Sequence, residues 1–408
     1  HWKGLRERDA GPVSHGELAV EERCLAPHSS LYDARPPVLK GAVTTAGTRI
    51  ELPVSPSPRV SILIPSAADS RFLTACLASL QRHLSPALPV EVVVVLDGAG
   101  AAAGDALREA APNAIVATTA ARLGLAGAGN LGRGLARGAL LVLLHDDAEI
   151  EPGWLEALVA TADARPDAGV VGSLVLDPDG SLQSAGMILW REGWTSPPWV
   201  GAPPSPASFE GVRAVDYCGT CSLLVRASIW DAMGGLDDTF FPAYYVDVDV
   251  AMSSRRLGRS VLLQPASRVR HHRGASGTPR FRGFIASRNR DAFLRKWDAE
   301  LQAHEPQGND GAGAVARAIA RAQASAARLA ESRGPLSGVQ QGGAGPEALP
   351  VLERQSLEKD LALHRSYVKH LEGLVDMEEK RPLLNVMRRR LSRAARRLIR
   401  RVTPSRRG

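Results

Sequence analysis

Two carboxylates follow directly on an apolar run in Leu143-Leu144-His145-Asp146-Asp147. Acidic side chains at the carboxyl end of a buried strand are placed to hold a hard cation that also touches substrate phosphates. A plainer role is to cap a following helix, which Glu149, Glu151 and Pro152 would begin. The place of the pair, after the fourth strand of an alternating series, favours the cation. A second acidic cluster, Tyr244-Tyr245-Val246-Asp247-Val248-Asp249, opens an expected helix. The macrodipole alone favours acids in a first turn. Asp247, however, sits among apolar and aromatic residues that would raise its pKa and suit a general base. A third element, Val269-Arg270-His271-His272-Arg273-Gly274, offers imidazoles just after a strand. Imidazole is a common ligand of divalent metals, whereas paired histidines among arginines can simply be solvated. The ligand reading of these histidines is tied to that of Asp147.

Other signals are weaker. Cys218-Gly219-Thr220-Cys221 has the form of half a zinc site, but the sequence holds no second pair. At the start of a strand, positions i and i+3 face opposite ways, so both cysteines read as structural. Gly124 to Gly132 is glycine-rich, yet it lacks a P-loop lysine and follows a third strand. Trp190, Trp194 and Trp199 flank a Pro-rich loop at 195–206.

The elements that must position these residues alternate regularly from Arg59. Strands are expected at Val60–Ile64, Glu91–Leu96, Ala114–Ala117 and Ala139–Leu144, with helices at Asp69–Leu84, Gly104–Ala111 and Leu125–Arg137 between them. That order predicts a doubly wound, mostly parallel α/β sheet. Beyond His145 the pattern predicts helices at Trp154–Ala164, Val246–Leu257, Phe284–Trp297 and Ala314–Arg333, and strands at Gly169–Leu176, Gly186–Trp190, Gly219–Val225 and Val261–Leu263. Residues 1–58 read as a lead-in with a hairpin over Val38–Val54, 59–303 as the catalytic domain, 304–348 as helix and flexible linker, and 349–408 as C-terminal helices.

Apolar residues make up 44% of the 408, enough for one large core or two modest ones. No apolar run approaches the ~20 residues that cross a bilayer, and the first forty residues carry no signal pattern. A start at His1 suggests a fragment or a processed chain. Four scattered cysteines fit a reducing compartment. Eleven arginines and no acid lie between Arg381 and Arg407; taken from the total of +7, they leave −4 for the remainder. The body therefore lacks the basic cleft of a nucleic-acid enzyme.

Taken together, residues 59 to about 298 resemble glycosyltransferase family 2. Val60–Pro65 looks like the opening strand of that family, Glu91–Gly98 like its nucleotide-binding strand, and Asn130 like its helix asparagine. Leu144–Glu149 stands where the family has its DxD-type element. Pro178–Gly186 resembles a segment of rhamnosyltransferase-like, polysaccharide-building members. Gly219–Arg226, Met233–Asp237 and Asp247-Val248-Asp249 match the acceptor-side run, His271 the metal-binding histidine, and Arg288–Trp297 the closing helix. Leu96, Val246 and His145 replace acids common in the family, so the base role falls on Asp247 and the metal on Asp147 before Asp146.

The resemblance implies a GT-A type fold with a small antiparallel acceptor-side part and added C-terminal helices. It also implies an inverting transfer assisted by Mg2+ or Mn2+ on Asp147 and His271. Pro65, Ser66, Asp97, Asn130 and Asp146 would bind a UDP-, dTDP- or GDP-sugar donor, while Asp249, Gly219 and Trp190 would face a glycan or lipid-linked acceptor. A sugar-nucleotide pyrophosphorylase shares the α/β plan but needs a basic, Gly-rich triphosphate loop, which Ser66-Ala67-Ala68-Asp69 is not. A catalytically silent carbohydrate-binding or scaffold protein is the reading outside enzymes.

The tail suggests where the enzyme would work. Leu384, Met387, Leu391, Ala394, Ala395, Leu398 and Val402 fall on one side of an expected helix, and arginines crowd the remainder. Such a helix suits an anionic membrane surface, and so a cytoplasmic, peripheral place at the inner face of the plasma membrane. A short seam (Leu357, Leu361, Val368, Leu371, Val375) would serve a homodimer.

Overall fold

The computed structural model describes residues 49–67, 72–272, 279–308, 310–331, 351–367 and 369–371. The expected 38–54 hairpin, except its last residues, and the helix at 381–402 lie outside them. The chain divides into two compact units, His1–Ser356 and Leu357–Gly408. Of the second, residues 357–367 and 369–371 are helical.

In the first unit the order is β1 (Val60–Ala67), α1 (Leu73–His83), β2 (Val90–Asp97), α2 (Ala101–Ala110), β3 (Ile115–Thr118), α3 (Gly124–Leu135), β4 (Leu140–Leu144), β5 (Ala148–Ile150) and α4 (Trp154–Ala164). There follow β6 (Ala168–Leu176), β7 (Leu182–Ser184), β8 (Ile188–Leu189), β9 (Thr195–Ser196), β10 (Arg213–Ala214), β11 (Ser222–Arg226) and α5 (Ala227–Ala232). The last elements are α6 (Val246–Arg256), β12 (Ser260–His271), α7 (Pro279–Leu301) and α8 (Gly311–Glu331). One sheet runs in the order β10-β12-β6-β11-β4-β1-β2-β3.

Runs of Val, Ile and Leu that are buried on both faces make the parallel centre, where Ile62 pairs with Val92 on one side and Val142 on the other. Alternate residues part into two layers. Leu63, Val93 and Val95 face α3, α6 and α7; Ile62, Ile64, Val92 and Val94 face α1, α2 and α4. The doubly wound α/β plan expected of the GT-A type is what the chain adopts.

Strand β1 lies between β2 and β4, so the winding reverses there and opens a crevice at the carboxyl ends of these strands. Ser66 and His145–Asp147 stand on its two sides. Beyond β4, β11 runs antiparallel to both β4 and β6, while β12 pairs in parallel with β6.

Two expectations change here. The residues after Asp147 form a strand, not a helix, since β5 pairs with the far end of β12 (Ala148 with His271) and α4 begins only at Trp154. The helix-capping reading of Asp147 falls with that. Strand β12, expected only over Val261–Leu263, runs on past irregularities between Gln264 and Arg268 and carries His271 to the crevice.

Candidate active site

On the side of β1 and β2, the Ser66 hydroxyl donates to Asp146 Oδ2 at 2.7 Å. Asp97 ends β2 and accepts from the amides of Leu123 and Gly124 (2.6 and 3.0 Å) and from the Thr119 hydroxyl (3.1 Å). It thus satisfies the donors at the start of α3. Burial pushes its carboxyl up to about 6, with those three donors pulling against the shift. Gly124 is left-handed (φ +70°), and a Cβ there would meet the Pro242 carbonyl at 2.8 Å. Glycine at this position thus permits the close packing of α3 against the turn at Pro242.

Deeper in the crevice, His271 Nε2 lies 3.1 Å from Asp147 Oδ1, and His145 Nδ1 lies 3.8 Å from the same oxygen. Each ring is held from behind. His271 Nδ1 faces Gln183 Oε1 at 2.7 Å. The Gln183 amide is oriented by donating to Asp177 at 2.8 Å, so its oxygen accepts from His271 Nδ1 and leaves Nε2 facing Asp147. His145 Nε2 meets the Thr220 hydroxyl at 3.1 Å. Burial lowers the His145 pKa to about 4, keeping the ring neutral. The 3.1 Å spacing fits Mg2+ or Mn2+, because two ligands at ~2.1 Å and right angles stand ~3 Å apart. His272 is not part of this group; it pairs with Glu149 at 2.7 Å and stacks on Phe72.

The opposite wall is the turn before α6. Tyr244 and Tyr245 are both left-handed (φ 68° and 66°), a conformation that costs a bulky residue about 1–3 kcal/mol. Helix α7 pins it: the Asn289 amide donates to the carbonyls of Phe240 and Ala243 (2.9 and 2.7 Å), and Arg288 donates to that of Phe241 at 2.9 Å. The Tyr245 hydroxyl donates to the Gly193 carbonyl at 2.9 Å. Asp247 follows in the first turn of α6, its Oδ1 accepting from the Val248 amide at 3.0 Å. Burial pushes its carboxyl up to about 6.

Asp249, expected on the acceptor side, is directed elsewhere. It accepts from Trp297 Nε1 at 2.7 Å and pairs with Lys296 at 2.8 Å, fastening α6 to α7. Two residues on from Asp247, about 200° around the helix, it is turned into the core.

Between these walls lies a cavity of about 1170 Å³. Pro65, Ser66, Asp97, His145, Asp146, Trp190, Gly219 and Asp247 all line it. Asp147 and His271 stand behind His145 and Asp146, nearly or wholly buried. Trp199 also lines the cavity, whereas Trp194 lies under the Arg290 guanidinium at 4.0 Å. Asn130 is a second correction. Its amide donates to the Leu236 carbonyl and accepts from the Leu236 amide, both at 2.8 Å, and from Trp230 Nε1 at 3.2 Å. With both ends so engaged it packs α3 against the 230–236 turn. Sequence reasoning missed Gln183 and Asn289 as supports; both stand inside segments that carry the family resemblance, with no chemistry of their own to mark them.

The family model for glycosyl transferase family 2 matches residues 61–232. The chain carries a family 2 glycosyltransferase domain. This domain is similar to the O-antigen biosynthesis protein RfbC of Myxococcus xanthus, 28% identical over 237 residues that cover 56% of this chain and 18% of RfbC. It is also similar to an N-acetylglucosaminyl-diphospho-decaprenol L-rhamnosyltransferase of Mycobacterium tuberculosis, 30% identical over 147 residues, 33% of this chain and 48% of that one. The matches thus span about half the length of these relatives or less. Among solved structures, GalNAc-T7 with UDP, GalNAc and Mn2+ aligns with a TM-score of 0.47 at 15% identity, covering 61% of this chain and 49% of that chain. S. aureus TarS 1-349 aligns with a TM-score of 0.40 at 14% identity, covering 71% and 98%. Among the described residues no helix is long and apolar enough to cross a membrane.

Proposed function

We propose that the chain is an inverting glycosyltransferase that moves a sugar from a nucleotide-sugar donor to a hydroxyl of a glycan or lipid-linked acceptor in cell-surface polysaccharide synthesis. The catalytic domain would span residues 59–303. One observation carries the reading. Of the described carboxylates lining the cavity, Asp97, Asp146 and Asp177 are each held by groups from other elements, while Asp247 meets only an amide of its own helix. A base must keep such an oxygen for its substrate.

In the reaction, Asp247 takes the proton of the acceptor hydroxyl as that oxygen bonds to the anomeric carbon from the face opposite the leaving group. The bond from that carbon to the diphosphate breaks, and its electron pair leaves with the nucleoside diphosphate. Pro65 and Ser66 would hold the donor beside Asp146, and Trp190 and Gly219 would face the acceptor. Mg2+ or Mn2+, when bound by Asp147 and His271, would supply Lewis-acid neutralisation of the departing diphosphate. The rhamnosyltransferase and O-antigen relatives support polysaccharide synthesis.

The test is a thermal-shift screen against UDP-, dTDP- and GDP-sugars with Mn2+, followed by direct assay of donor cleavage. A ligand at ~100 times its Kd adds ~2.7 kcal/mol, a readily measured shift. Absence of both a shift and cleavage for every donor would remove the transferase reading in favour of a silent binding protein.

A further inference from the structure

Strands β10 and β12 stand at one end of the sheet, and β2 and β3 at the other. Helix α8 lies against β8, β10 and β12, and so at the end away from the Asp97 that closes β2. Yet Gln307, Gly311, Ala314 and Val315 line the same cavity as Ser66 and Asp97. At about 1170 Å³ that cavity exceeds the ~300–1,000 Å³ that holds one small ligand. We infer that α8 and the β8–β9 hairpin build a subsite for a neutral sugar ring of the acceptor. Trp190 and Val315 supply its apolar surface and Gln307 a polar contact.

The hairpin that carries Trp190 is fastened from several sides. The Leu189 amide donates to Asp216 Oδ2 at 2.9 Å, and the same oxygen accepts from Arg321 of α8 at 2.7 Å. Arg321 also donates to Glu305 at 2.8 Å. The segment leading into α8 grips the hairpin turn. There the Arg191 amide donates to the Glu305 carbonyl, and the Gln307 amide to Glu192 Oε2, both at 2.9 Å. Ile188, Trp190, Ala314 and Ala318 form one apolar cluster, against which Val315 packs. The Tyr245 hydroxyl, donating to the Gly193 carbonyl, ties the hairpin to the turn that precedes Asp247. Platform and proposed base are thus held in one frame. Helix α8 lies outside residues 61–232, so this wall is an addition to the matched part of the domain.

The chemistry of the wall selects the ligand. Among the described residues of 187–203 and 307–315, none that lines the cavity is charged. The charges nearby, Asp216, Glu305 and Arg321, pair with one another and do not line it. An anionic group therefore gains nothing here. Trp190, Trp199, Met187 and Val315 offer apolar surface, with Thr195 and Gln307 as hydrogen-bonding groups among them. The Trp190 indole N–H is engaged by Ser196 Oγ at 3.0 Å, so its ring contributes surface. A sugar ring has apolar C–H faces and a rim of hydroxyls, which match aromatic surface set with a few polar groups. A hydrocarbon chain would cover those polar groups without satisfying them, at a cost.

That the ring belongs to the acceptor rests on the transferase reading; the sugar subsite itself does not. Saturation-transfer NMR on the full chain, without donor, tests it with the methyl glycosides of glucose, galactose, rhamnose and N-acetylglucosamine as probes. At least one should bind. Val315→Trp should weaken that probe by roughly tenfold or more, because the added indole takes the room of the ring. Gln307→Ala should weaken it as well; this residue is exposed, so the variant tests the subsite without disturbing the packing of α8. Melting curves near that of the parent confirm that both variants are folded. Binding of no glycoside, or undiminished binding in both variants, would overturn the subsite. So would binding of 1-octanol in place of every glycoside, which would make the wall a lipid slot. Donor cleavage by the parent with Mn2+ is measured separately. Its absence beside glycoside binding counts against the transferase reading alone, and its presence without glycoside binding counts against the subsite alone.

Discussion

Asn289 donates its side-chain amide to the carbonyl of Ala243 at 2.7 Å, and so helix α7 sets the turn from which Asp247 projects. Two successive tyrosines in left-handed conformation are held there with the help of donors that α7 supplies to several carbonyls of the turn. Asn289→Ala removes the donors to Phe240 and Ala243, whose residues are buried. The expected cost is about 1–3 kcal/mol in stability, seen as a lower urea midpoint at unchanged m. Turnover should fall more than donor affinity does, because the turn carries the proposed base and not the donor floor. Unchanged turnover in a destabilised variant would separate the turn from catalysis.

Asp247→Asn should abolish transfer, by roughly 10²–10⁴-fold for the loss of a positioned base, while donor binding survives. In the parent, turnover should rise with pH through about 6, where the buried carboxyl ionises. Stability should move the other way. The folded carboxyl holds its proton up to about 6, whereas in the unfolded chain it lets go near ~3.9. Between those values the folded state binds more protons, so stability falls as pH rises through that window and stays lower above it. Asp247→Asn should therefore be more stable than the parent at about pH 8, by roughly 1–3 kcal/mol, and nearly equal to it below about pH 4. A variant less stable at high pH would contradict the burial of this charge.

The central strands and α1 to α3 were legible because each is a run of one hydrophobic period, long enough to declare itself. The acids at strand ends were legible for the same reason: Asp146, Asp147 and Asp97 interrupt or end apolar runs. What stayed hidden depends on distant pairing. Strand β5 has three residues and exists only through the end of β12. Asp249 and Asp247 are alike in sequence, and only Trp297 and Lys296 on another helix tell them apart. Asn130 resembled a ligand residue by its motif, yet the 230–236 turn that consumes its amide is some hundred residues away.

Choosing between the two histidines gives a third test. His271 faces Asp147, and His272 faces Glu149. His271→Ala and Asp147→Ala should each weaken Mn2+ and donor binding, and His272→Ala should leave both near the parent values. Gln183→Leu keeps the size of the side chain but frees the His271 ring. It should weaken Mn2+ binding by about 10–100-fold, with partial rescue in Gln183→Glu, which again accepts from Nδ1. Titration calorimetry with Mn2+ alone reads all of these. Excess EDTA should silence the enzyme. Full activity in it would take the ion out of the mechanism.

The last test concerns the tail from Arg381, which lies outside the described residues and is argued from its sequence. Its arginines and its apolar line of Leu384, Met387, Leu391, Leu398 and Val402 would lie in the plane of an anionic bilayer surface. Each arginine near such a surface is worth ~1 kcal/mol, so engagement of even half of them would hold the protein there. The attraction falls off over ~10 Å at ~0.1 M salt, which makes it reversible. Full-length protein should float with vesicles containing anionic lipid and release at high salt, and a chain ending at Lys380 should stay behind in the dense fraction. Neutral vesicles should float neither. If the shortened chain floats as well as the full one, the membrane contact belongs to another part of the protein, and the tail's arginines serve something else.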